Sequence, residues 1–218
     1  TKGTHKYKHK WLESRPGKFA ILTTVAILIG GLVELIPTFL IKSNIPTISS
    51  VKPYTPLELQ GRDIYVREGC YTCHSQMIRP FRSETERYGE YSKAGEFVYD
   101  HPFQWGSKRT GPDLHRVGGK YPDLWHYLHM SDPRSISPGS IMPSYGWLYE
   151  QDIDYGSTEA KIRGMRTLGV PYPEGYESVA NEELQKQADM ITAELKKNGL
   201  SADSRKEIIA LIAYLQRL

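Results

Sequence analysis

The chain has 218 residues, enough for one domain with appendages, and its 39% hydrophobic and 24% charged residues exclude a wholly disordered chain. Its net charge of +3 is uneven. Residues 1–18 carry six Lys/Arg against one Glu, a local +5, which leaves −2 for residues 19–218 and excludes a nucleic-acid-binding surface spread over a domain. Two cysteines exclude a four-thiolate zinc site.

The longest apolar run is Phe19–Ile41, FAILTTVAILIGGLVELIPTFLI. At 1.5 Å per residue it reaches ~34 Å, enough for a bilayer core. A signal peptide has a shorter apolar stretch and small residues at its cleavage site, and Ile41-Lys42-Ser43-Asn44 offers none, so an uncleaved anchor is expected. Lysines and arginines precede the run and only Lys42 follows closely, which predicts a cytoplasmic N-terminus and places the remainder outside, in the bacterial periplasm. Glu34, Gly30-Gly31 and Pro37 interrupt the span. An ionisable group there should face protein rather than lipid, which points to a subunit of a larger membrane complex.

Ser43–Tyr54 reads as an extended linker with Pro46 and Pro53. Thr55-Pro56-Leu57-Glu58 is a capping box with proline at the first helical position, predicting a helix to about Glu68 that Gly69 ends. It delivers Cys70-Tyr71-Thr72-Cys73-His74, the C-x-x-C-H signature of covalent haem attachment, in which two thiols add to the haem vinyl groups and the histidine becomes the proximal iron ligand. A redox dithiol would need a thioredoxin-like βαβ pattern, which is absent.

Residues 75–105 show no sustained period and read mostly as loop; Arg79, Arg82 and Arg87 are candidates to neutralise haem propionates, with a solvated charged surface as the blander account. Tyr121–Met130 reads as a short helix beginning at Pro122, with Leu124 and Leu128 as core positions. His126 and His129 stand at i, i+3 without an evident third metal ligand, so surface or partner-facing histidines are expected. For the sixth iron ligand, Met77 lies too near His74, while Met130 and Met190 fall in helices. Met142, in the proline-stiffened loop Ser137–Pro143, is the best candidate, with Met165 or a second histidine as alternatives. His/Met ligation raises the potential, which suits a carrier near the oxidising end of a respiratory chain. Residues 149–178 read as an insertion, Val179–Lys197 as a helix, and Ser204-x-x-Glu207 as the box of a final helix with Ile208, Leu211, Ile212 and Leu215 on one face.

The order of a first helix with a glycine, C-x-x-C-H, a late Met-Pro and a terminal helix resembles class I cytochrome c. That resemblance implies a Gly61–Tyr214 contact between the first and last helices. It also implies that the Pro112 carbonyl of Thr110-Gly111-Pro112-Asp113-Leu114 accepts a hydrogen bond from His74, and that Leu114 packs on the haem. The wider chain resembles the membrane-anchored monohaem cytochrome c subunits (subunit II, the O subunit) of cbb₃-type cytochrome c oxidases. The segments that carry this are the basic N-terminus with its single anchor, GCYTCHSQMIRPF, RYGEYSKAGE, TGPDLHRVGGKY and IMPSYGWL.

The resemblance implies a mostly α protein: a cytoplasmic segment at 1–17, an anchor at 18–42, a linker at 43–54 and a periplasmic haem domain at 55–218, with insertions at about 77–105 and 149–200. It implies one covalently attached haem c, bound by Cys70, Cys73, His74, Met142, Pro112 and Leu114, with His74 and Met142 as axial ligands. Electrons would come from a partner cytochrome c subunit of dihaem type, or from soluble cytochrome c. They would pass to haem b of a multispan haem–copper subunit in the inner membrane, which reduces oxygen and pumps protons. No oxygen-reducing site is expected in this chain, and no P-loop, dinucleotide fingerprint or G-x-S-x-G occurs. The alternatives are a nitric oxide reductase-like haem c subunit, a haem sensor or peroxidase-like protein, and an assembly subunit whose haem is incidental.

Overall fold

The computed structural model describes residues 10–41, 43 and 46–218. Lys2, Lys6 and Lys8 of the basic segment, and Lys42 behind the anchor, lie outside the described residues. The chain divides into two compact units, residues 1–46 and 47–218.

In the first unit, helix α1 spans Pro16–Leu40. It starts ahead of the apolar run because Pro16 pre-sets the backbone for a first helical turn. Its 25 residues reach ~37 Å, and it is long and apolar enough to cross a bilayer. The helix continues through Pro37, and the Thr38 hydroxyl donates back to the Glu34 carbonyl at 2.9 Å. Thr23, Gly30, Glu34 and Thr38 recur at helical spacing and share one face, whereas Val25, Leu28, Leu32, Ile36 and Phe39 share the other.

The second unit is built on helices α2 (Pro56–Arg67), α3 (Arg82–Tyr88), α4 (Asp123–Ser131), α5 (Thr158–Thr167), α6 (Ala180–Lys197) and α7 (Glu207–Arg217), with no strand among the described residues. The box at the start of α2 forms on both sides: the Thr55 hydroxyl accepts from the Glu58 N–H at 3.3 Å, and the Glu58 carboxylate accepts from the Thr55 N–H at 2.8 Å. Gly69, at φ 69°, turns the chain out of α2 straight into the cysteine motif.

Helix α7 is buried along nearly its whole length, Ile208 to Leu215 being at most 3% exposed. Its closest neighbour is α2, and the closest approach is at Gly61, where a Cβ would stand 2.8 Å from Tyr214 Cβ and closer still to the Ala210 carbonyl. Tyr214 packs its ring 5.3 Å from that of Tyr65 and 5.9 Å from that of Tyr54. Tyr54, read as the end of a linker, is thus part of the second unit's packing. The Tyr214 hydroxyl pairs with the buried Gln76 side chain, 3.0 Å from Nε2 and 3.1 Å from Oε1. The helix pair that forms the core therefore holds the segment just after the cysteine motif.

The segments read as insertions are structured. Arg82–Tyr88 forms α3, a helix of polar residues supported by the Arg82–Glu86 pair at 2.7 Å. It shows no apolar stripe, which is why periodicity missed it. Helix α5 builds a second apolar cluster, in which Ile162, Met165, Val170, Tyr172 and Ala180 surround Leu59 of α2. Arg62 of α2 makes a buried 2.6 Å ion pair with Asp100 and ties down the end of the other insertion.

One capping expectation is corrected. Helix α7 begins after Lys206 without a side-chain cap. Ser204 instead accepts from Gln185 at 2.9 Å, while the Glu207 N–H donates to the Gln151 carbonyl at 3.0 Å and the Glu207 carboxylate accepts from Arg67 at 2.7 Å, so neither half of the box forms. Pro122 stands at the start of α4 as its N-cap residue.

Candidate haem site

Residues 70–74 form a tight turn in which the His74 N–H donates to the Cys70 carbonyl at 2.9 Å. Cys70 is half-buried and Cys73 exposed. Burial, with Glu68 adding, pushes the Cys70 thiol up to about 12. A redox dithiol needs a depressed thiol pKa, so this environment argues against thiol–disulfide exchange.

His74 is oriented from behind. Its Nδ1 lies 2.8 Å from the Pro112 carbonyl, which can only accept, so Nδ1 carries the proton and Nε2 keeps its lone pair. Burial lowers the pKa of His74, more than the Pro112 carbonyl and Asp113 raise it, which favours the neutral, ligating imidazole. Gly111 lies flat against the ring: a Cβ there would stand 2.7 Å from Nδ1 and 2.9 Å from Nε2.

Ladder bonds fasten the two segments that meet at His74. The Gly111 N–H donates to the Cys73 carbonyl at 2.9 Å, and the Leu114 N–H to the Ser75 carbonyl at 2.8 Å. Asp113, only 7% exposed, is the hub. Its carboxylate accepts from the Ser75 hydroxyl at 2.6 Å, the Met77 N–H at 2.8 Å and the His115 N–H at 2.9 Å. Arg109 completes the frame, donating to Ser75 Oγ and the Met77 carbonyl at 2.7 Å each and to Glu84 at 2.8 Å. Arg109 holds Glu84 down at about 2. Sequence reasoning missed Asp113 and Arg109, since one polar residue beside Pro112 looks like any turn residue until its partners are known.

Cys70, Leu114, Met142 and Tyr145 all pack against the main apolar cluster. The Met142 loop is held by the Ser140 hydroxyl, which accepts from the Met142 N–H at 3.2 Å, and by the Tyr145 N–H, which donates to the Met130 carbonyl at 2.9 Å. Burial raises Tyr145 to about 12, and Cys70 and Cys73 add to that rise, which places this tyrosine beside the cysteines. Of the other methionines, Met165 is buried in the second cluster and Met190 is 59% exposed on α6.

Three arginines suggested for haem propionates have other partners. Arg79 pairs with Glu84 and Arg82 with Glu86, while Arg87 lies over the Tyr88 ring at 5.2 Å. The reading of α4 also changes: His126 is buried rather than at the surface, and Leu128 is 42% exposed rather than in the core.

These residues fit a haem c. A haem supplies four iron ligands itself, so it needs one neutral imidazole nitrogen and one further donor. Among the described residues no cluster of three or more His, Cys, Asp or Glu side chains offers a site for a bare metal ion. The oriented His74, the two thiols of one short turn and the glycine flat against the imidazole are the features that a covalently held haem uses.

The family described as "Cytochrome C oxidase, mono-heme subunit/FixO" matches residues 9–218. The chain belongs to this family. No curated protein matches it. As a member of the mono-haem subunit family it carries one haem c and is part of a cytochrome c oxidase complex with other subunits. The apolar helix α1 makes it membrane-anchored, and its mostly helical haem unit is cytochrome c-like.

Proposed function

We propose that this mono-haem subunit relays electrons to the oxygen-reducing centre of a cbb₃-type oxidase. They arrive from a dihaem partner cytochrome c subunit or from soluble cytochrome c, and leave to haem b of the multispan haem–copper subunit. Cys70 and Cys73 would hold the haem covalently through their thiols, and His74 and Met142 would be its iron ligands. When bound, the haem supplies a one-electron ferric/ferrous couple.

The protein's own residues fix that couple. Pro112 and Asp113 hold the His74 ring in one tautomer and orientation, Gly111 leaves room for it, and Leu114 and Met142 continue the apolar core and exclude water. With His74 and Met142 both on the iron, no position would remain open for oxygen, and catalysis would fall to the partner. The observation that carries this reading is the His74–Pro112 bond at 2.8 Å, which points the unprotonated nitrogen of the C-x-x-C-H histidine away from its support.

The basic N-terminal segment favours a cytoplasmic N-terminus, and hence a haem unit on the periplasmic side of the inner membrane. The face of α1 that carries Thr23, Gly30, Glu34 and Thr38 suits a helix of a partner subunit, since lipid contact would leave Glu34 unpaired in hydrocarbon.

Purification of the full chain in mild detergent tests the relay. A multispan haem–copper subunit should co-elute, and during oxygen consumption the haem c of this chain should settle at partial reduction. A haem that stays fully reduced while oxygen is consumed, or a chain that elutes without the haem–copper subunit, contradicts the relay.

A further inference from the structure

Helix α4 buries a histidine alongside its apolar residues. It buries His126 (1% exposed) and Met130 (8%) while Leu128, on the other side, is 42% exposed. His126 Nε2 and His129 Nδ1 are both buried and have no hydrogen-bond partner among the described residues. Leaving a buried polar atom unpaired is costly, so such atoms in native proteins call for a partner outside the protein's own inventory. Their ring neighbours are aromatic: Trp125 stacks on His129 at 4.5 Å, and Tyr121 meets the His126 ring edge-on at 6.2 Å.

The same helix lies at the haem site. His129 is within electrostatic reach of His74, and His126 of His129. The C-terminal end of α4 is fastened to the loop that carries Met142: the Tyr145 N–H donates to the Met130 carbonyl at 2.9 Å and the Ser144 hydroxyl to the Ser131 carbonyl at 2.5 Å. Helix α4 thus connects the neighbourhood of His74 with the loop assigned to the opposite axial ligand.

We infer that the inward face of α4 forms part of the haem wall, and that His126 and His129 donate their unpartnered N–H groups to the haem propionates. A haem is apolar over its ring and thioether edge, and its two carboxylates are the acceptors that match two orphaned imidazole nitrogens. A carboxylate at a buried site needs donors. Arg79 and Arg82 are paired with glutamates, and Arg87 lies over a tyrosine ring, so they do not already fill this role. Burial, with His129 adding, pushes His126 down to about 4, which leaves a neutral ring with one N–H to give. Each ring then carries its proton on the orphaned nitrogen, a tautomer the aromatic neighbours do not oppose.

This inference rests on haem attachment at Cys70–His74, and its test separates the two. In the reduced full chain in detergent, labelled with ¹⁵N-histidine, both imidazole N–H protons should exchange slowly and show contacts to propionate methylene protons. His126→Phe and His129→Phe should keep the covalent haem and its His/Met spectrum. They should shift the propionate-bending band in resonance Raman spectra and lower the midpoint potential, and His126→Asn, which keeps an N–H, should restore part of the shift. An attached haem with neither propionate contacts in the parent nor a band shift in the variants overturns the inference. A chain without thioether-bound haem overturns the attachment instead. If His126→Phe fails to mature, the ¹⁵N spectrum of the parent decides alone.

Discussion

Gly61→Ala should destabilise the haem-bearing unit by about 2 kcal/mol, in the range of overpacking a close-packed interior. Helix propensity alone would predict the opposite sign, since alanine is favoured over glycine in a helix by up to about 1 kcal/mol. Space decides between them. The new Cβ would stand 2.8 Å from Tyr214 Cβ and closer to the Ala210 carbonyl, which is backbone and cannot swing aside. Helices α2 and α7 would have to separate, loosening the Tyr65–Tyr214 ring contact and the Gln76–Tyr214 hydrogen bonds that hold the chain just after the cysteine motif. Gly164, inside α5 with nothing within 4 Å of its would-be Cβ, is the control. Gly164→Ala should be neutral or stabilising by up to about 1 kcal/mol. Urea unfolding followed by circular dichroism reads both, and a Gly61→Ala protein as stable as the parent would refute the close packing described.

Gly111→Ala should leave the fold and the thioether bonds in place but disturb the iron. The added methyl would press on both nitrogens of the His74 ring, at 2.7 and 2.9 Å, so the imidazole must turn. Turning breaks its 2.8 Å hydrogen bond to the Pro112 carbonyl and leaves the half-buried N–H unpaired, at a cost of about 1 kcal/mol. The expected result is a partly high-spin visible spectrum and a changed reduction potential, because ring orientation and basicity both follow from that bond. An unaltered low-spin spectrum and potential would show that Gly111 does not limit the ring.

Much of this was legible in the chain because it is local. The Thr55–Glu58 box, the Gly69 stop and the C-x-x-C-H turn are fixed by residues within a few positions of one another. The Gly61–Tyr214 contact and the His74–Pro112 bond were reached through resemblance to class I cytochromes, since no short-range pattern encodes contacts across so much chain. Three features stayed hidden for physical reasons. Helix α3 is supported by charged pairs rather than by an apolar face, so it leaves no periodic trace. Asp113 acts through partners up to 38 residues away, which only the fold assembles. His126 looks like a surface residue by composition, and its burial follows from where α4 is pinned, by Met130 and Ser131, to the Met142 loop.

The axial pair His74 and Met142 is tested most directly by the far-red absorption of the oxidised protein. The parent should show the weak sulfur-to-iron charge-transfer band of a His/Met haem, and Met142→Leu should lose it while keeping the covalent haem. Survival of that band in Met142→Leu, or its absence from the parent, would contradict Met142 as the far ligand.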